Sequence, residues 1–146
     1  MSSAEALRLP HAAHLPGSGS APDLEPLEAA KAAAPARTDA ESWEENLPYC
    51  YGWRLFDARF YWEAHEVWEA VWLACRPNSP ERLLLRVLIQ LANARLKRAQ
   101  GRKKAVTRLC EEVEILLAEP LLDEPVMAVT RDNLAEILSK TKKEQA

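Results

Sequence analysis

The stretch from Pro80 to Gln100 limits the fold of this chain more than any other. Beyond its opening proline it holds no Gly or Pro, and it is built from good helix formers. Leu83, Leu84, Leu85, Val87, Leu88, Ile89, Leu91, Ala92 and Ala94 would cover most of the circumference of such a helix. A helix that is apolar nearly all round belongs in the middle of a bundle. Its polar residues Arg82, Arg86, Gln90, Asn93, Lys97 and Gln100 fall within an arc of about 80°. Ser79 is placed to cap this helix, with Pro80 at the first helical position and Gly101 as the stop. The fold class expected is all-α, a compact antiparallel bundle of about five helices.

A shorter stretch carries the chemistry. Residues 61–72 hold three of the five tryptophans and the only histidine outside the first 40 residues. At 100° per residue, Ala64, Val67, Trp68, Val71 and Cys75 form an apolar arc that Tyr61 and Trp72 extend on one edge. His65 and Glu69 stand one turn apart beside that edge, with Trp62 and Glu66 slightly further round.

The remaining elements are read from their signals. Residues 1–40 contain five of the ten prolines and no Val, Ile, Phe, Trp or Tyr, so they are expected to form a disordered Ala/Pro-rich tail before a bundle domain over 41–146. Within it His11 and His14 are three apart, which in an unfolded tail is composition rather than a metal site. Thr38 to Glu41 has the capping-box pattern for a short helix through Trp43 that stops before Pro48. A second helix is expected over about 49–57, with Trp53 and Phe56 as core anchors, then a tight reversal at Ala58 and Arg59. A further amphipathic helix follows over about 102–118, an extended link over Val126–Val129, and a last helix capped by Thr130.

Composition closes off several classes. The formal net charge of -3 gives no basic field for nucleic acid or a membrane surface. Cys50, Cys75 and Cys110 are widely spaced and fit small buried side chains in a reducing compartment. The beginning of the chain has no continuous apolar h-region, and the run Leu83–Leu96 is too short and too polar to cross a bilayer. A cytoplasmic protein is expected, with no cofactor called for and a homo-oligomer left open.

From Trp53 to Leu117 the chain resembles a family of small all-α proteins, the domain of unknown function 309. Phe56, the run from Tyr61 through Trp62, Glu63, Ala64, His65 and Glu66 to Glu69, Trp72, then Leu88 to Ala92, Arg108 and Leu109 carry the resemblance. It implies a compact helical bundle and no established activity. It also implies Gly where this chain has Arg59, and a histidine near the end of the central helix where this chain has Leu96.

His65, Glu66 and Glu69 look like a zincin helix motif whose second histidine is replaced by glutamate. As metal ligands His65 and Glu69 would need a third from elsewhere, and a ferritin-like site would need a second Glu-x-x-His motif that the chain lacks. The plainer role for His65 is a packed ring satisfied by Glu69 and a neighbouring helix. The candidate pocket is Trp62, His65, Glu66, Glu69, Arg86, Gln90 and Asn93, with Arg86 placed to hold an anion. Arg95, Lys97, Arg98, Arg102, Lys103, Lys104 and Arg108 cluster around Gly101 without aromatics to stack bases, which reads as a solvated corner before an RNA site. Three functions follow in order. The first is a module binding a small ligand or a protein, the second a metal-dependent or general-base hydrolase using His65, Glu66 and Glu69, and the third a weak nucleic-acid binder.

Overall fold

A computed structural model describes residues 6–143. Among them six α-helices are formed: α1 Glu25–Ala32, α2 Leu47–Asp57, α3 Tyr61–Leu73, α4 Pro80–Ala99, α5 Lys103–Leu117 and α6 Arg131–Lys143. Helix α4 is central, packing on α3, α5 and α6, while α3 also lies against α2 and α1. Leu84, Leu85, Val87, Leu88, Leu91 and Ala92 of α4 are at most 1% exposed, as a helix surrounded by others requires. The five helices α2–α6 make the expected bundle, and α1 is an addition to it.

The expected helix signals are largely used as written. The Ser79 side chain accepts the Arg82 N–H, and the N–H of Asn133 bonds the Thr130 hydroxyl at 3.0 Å. Gly101 takes a φ of 73°, a left-handed value suited to a helix stop. Arg59 takes a φ of 69° in the reversal between α2 and α3, a left-handed value that glycine adopts more readily. Gly52 of α2 lies against the indole of Trp68, which closes the α2–α3 contact to a distance that a Cβ would block.

The described part of residues 1–40 lies against the bundle: Leu27 and Ala30 are fully buried, and Thr38 donates its hydroxyl to the Val71 carbonyl at 2.8 Å. Five leucines, not β-branched or aromatic residues, supply most of the apolar weight of that segment, and the bundle's own side chains hold its backbone. Three expectations need correcting. Asp39, rather than Thr38, accepts the Glu41 N–H and starts a 3-10 turn over Ala40–Glu45. Pro48 lies in the first turn of α2 instead of before it, because Asn46 caps that helix through the Tyr49 N–H. Finally, Val126–Val129 is a tight turn closed by two backbone bonds, with Met127 and Ala128 both at positive φ, not an extended link.

Candidate functional site

Helix α3 presents three surfaces. Its buried side, Ala64, Val67, Trp68 and Val71, is at most 1% exposed. Trp68 is the anchor: its indole N–H donates to the Tyr49 carbonyl at 3.2 Å, and its ring meets Trp53 and Phe56 at centroid distances of 5.2 and 5.7 Å. Rigid aromatic contact on this side fixes how the other two flanks are offered.

One flank carries the residues the sequence brought forward. The His65 Nε2 lies 2.6 Å from a Glu69 carboxylate oxygen, one helical turn away, with the two side chains 25% and 46% exposed. One ligand atom each from His65, Glu66 and Glu69 lie within 4.8 Å of one another. The His65 Nδ1 is buried and has no hydrogen-bond partner among the described residues. A short bond to a carboxylate puts the ring proton on Nε2. A cation bound at Nε2 would move that proton to Nδ1, where nothing accepts it, whereas metal-bound histidines normally have such an acceptor.

Further along this flank, α3 and α4 enclose a hollow of about 360 Å³ lined by Glu69, Trp72, Leu73, Arg86, Ile89 and Gln90. Leu73 is 71% exposed at its edge. Arg82 lies over the Trp72 ring at 4.1 Å, and with Trp72 and Arg86 it lines a second hollow of about 380 Å³. Gln90 is partly committed, donating its amide to Glu112 of α5 at 2.9 Å. Of the seven candidate residues, Glu69, Arg86 and Gln90 therefore share one hollow, and His65 and Glu66 join it through Glu69. Asn93 does not line it. Trp62 turns to the opposite flank, where its ring meets the edge of His14 at 4.7 Å.

That opposite flank holds what sequence reasoning missed. Glu63 is fully buried, and one of its oxygens accepts the backbone N–H of His14 at 2.8 Å. The other has no partner among the described residues. Burial pushes its carboxyl above the ordinary range, partly offset by the His14 amide. A signal was present: on the helical wheel Glu63 stands about 40° beyond Val67, bordering the apolar arc on the edge away from His65. His11, by contrast, is a surface residue whose backbone N–H bonds Asp23, so the two tail histidines do not converge.

The basic corner divides. Arg95 lies over the Phe56 ring at 4.7 Å and bonds Thr141 of α6 at 3.0 Å, and Arg98 donates to the Thr141 carbonyl. These two cations hold α6 to the bundle, while Arg102, Lys103, Lys104 and Arg108 remain exposed. No helix among the described residues is long and apolar enough to cross a membrane.

No curated protein and no solved structure matches this chain. Residues 49–109, which run from within α2 through α3 and α4 to the middle of α5, match the family model described as Domain of unknown function (DUF309).

Proposed function

We propose that the chain is a non-enzymatic binding module whose site is the open flank of α3, and that its ligand is an anion with an apolar body. One observation carries this reading. Leu73 is 71% exposed beside a hollow that also holds the Trp72 ring and the Arg86 guanidinium. Apolar surface rimmed by a few oriented polar groups is the usual composition of a ligand site, and a guanidinium can take a carboxylate or phosphate through two parallel bonds. Arg82, stacked on Trp72, supplies a second cation at the same ring. The anion belongs either to a small molecule or to an acidic side chain of a partner.

Phenyl phosphate is a suitable probe. Saturable binding read by Trp72 fluorescence, with Trp72→Phe as the control, should appear at roughly millimolar concentration. It should fall several-fold in Arg86→Met and be weaker for inorganic phosphate, which lacks the apolar body. No saturable change up to the solubility limit would sink the proposal.

A second reading is favoured by the 4.8 Å grouping of His65, Glu66 and Glu69, which suits a weakly held divalent cation. Calorimetric titration with zinc tests it. Binding that disappears in His65→Ala supports a metal site, and a flat titration removes the hydrolase that would depend on it.

A further inference from the structure

Residues 7–16 cross the covered flank of the bundle without helix or strand, with Pro10 and Pro16 along their course. Four side chains of the bundle hold them. The Arg54 guanidinium donates to the Leu7 carbonyl at 2.7 Å, and the Tyr51 hydroxyl donates to the Arg8 carbonyl at 2.6 Å. The Glu63 carboxylate accepts the His14 N–H at 2.8 Å, and the Gln100 amide donates to the Pro16 carbonyl at 3.2 Å. In all four bonds the segment offers its main chain and the bundle offers a side chain. Proteins that bind extended peptides draw affinity from such main-chain bonds, and specificity from pockets for a few side chains. Leu7 and Leu9 fill that second role, packed partly buried against the core.

The division follows the family boundary. Tyr51, Arg54, Glu63 and Gln100 all lie within residues 49–109, whereas the segment they hold lies outside. Glu63 is also poorly served by its present occupant, since one buried oxygen of a fully buried carboxylate finds no hydrogen-bond partner among the described residues. The segment is tied to its own return as well as to the bundle: Asp23 bonds the Arg8 guanidinium and the His11 N–H. It turns back through Gly17 and Gly19, both at positive φ with open space around them, in an exposed reversal.

We propose that Tyr51, Arg54, Glu63 and Gln100 form an extended-peptide site that residues 7–16 occupy in cis, and that a partner's extended segment takes it when this strap lifts. The partner segment presents two adjacent carbonyls, a free amide about six residues on, and apolar side chains in place of Leu7 and Leu9. This site lies on the flank of α3 away from Trp72 and Arg86, so it stands independently of the anion-binding reading.

A protease site inserted between Ser18 and Gly19 of the full chain tests it, since cutting there frees the strap without removing it. A dye-labelled synthetic peptide of residues 6–18 is then titrated by fluorescence anisotropy. The cut chain should stay folded by circular dichroism and exchange its own strap for the labelled peptide. The uncut chain should bind that peptide at least about 10-fold more weakly, because its strap competes intramolecularly. Methylation of the peptide nitrogen at residue 14 removes the donor to Glu63 and should weaken binding by about 10-fold or more. Tyr51→Phe, which keeps the ring, should weaken it several-fold. The proposal is overturned if the folded cut chain takes up no peptide, if the uncut chain binds equally well, or if cutting unfolds the bundle. A dimer formed by strap exchange on cutting would assign the site to a second copy and overturn the partner.

Discussion

Two carboxylates on α3, Glu63 and Glu69, sit on opposite flanks of one helix and have opposite surroundings. Glu69 is about half exposed and bonded to His65, in the setting that makes an ion pair weak and adaptable. Glu63 is fully buried, half satisfied, and covered by a segment that lies outside the family match. The motif that attracts the eye in the sequence is thus the ordinary one physically. The less conspicuous glutamate stores the unfavourable electrostatics, and buried groups of that kind are the ones more often tied to function.

The largest expected difference between the flanks is in packing. Leu27 of α1 is fully buried on the covered side, and Leu73 is 71% exposed on the open side. Leu27→Ala should destabilise by about 3 kcal/mol in urea unfolding, from lost transfer energy and the cavity left behind. Leu73→Ala should stay within about 0.5 kcal/mol. Equal small effects would return residues 1–40 to the status of a dispensable tail.

Acid separates the flanks next. The folded pKa of Glu63 is raised above its ordinary 4.5, so the folded state holds more protons than the unfolded one between those two values. The penalty of the buried charge is present at neutral pH and relieved as pH falls through the folded pKa. Unfolding free energy of the unmodified chain relative to Glu63→Gln should therefore rise as pH is lowered from 7 toward about 4.5. Asp23, in the return of the strap, behaves oppositely, because the Arg8 guanidinium holds its carboxyl well below the ordinary 3.8. The advantage of the unmodified chain over Asp23→Asn should be present above that value and shrink as pH falls below it. Parallel slopes for the two pairs would contradict the assignment.

On the open flank, His65→Ala should cost about 1 kcal/mol, less than a buried histidine would, because its partner Glu69 is half solvated. A loss below about 0.5 kcal/mol would remove the structural role of the ring and leave ligand contact as its purpose.

The bundle was readable because its signals are local or periodic. The apolar circumference of α4, the Ser79 and Thr130 caps and the Gly101 stop each act within a few residues of where they are written. The strap was not readable because nothing in its own sequence reports its bonds, which run from bundle side chains to its backbone over 43 to 84 residues of separation. At the site the same limit applies. Glu69, Arg86 and Gln90 meet as helical spacing suggests, but Trp62 faces the covered flank because His14 is there to meet it, and no periodicity announces that.

The smallest expected effect concerns the turn from which both flanks start. Arg59 leads into α3 at a φ of 69°, with its N–H donated to the Phe56 carbonyl at 3.0 Å. An L residue held in the left-handed region loses about 1–2 kcal/mol to contact between Cβ and the backbone. Glycine escapes that contact but has more conformational freedom to lose on folding, which returns roughly 0.5–1 kcal/mol. The difference leaves Arg59→Gly neutral to stabilising, by up to about 1.5 kcal/mol. Arg59 is exposed, lines neither hollow and takes part in none of the strap's four bonds among the described residues, so the change should leave phenyl phosphate binding and strap exchange where they are. Urea unfolding decides the sign, and a destabilisation beyond about 0.5 kcal/mol would mean that the Arg59 side chain, rather than its backbone angle, sets the direction of α3.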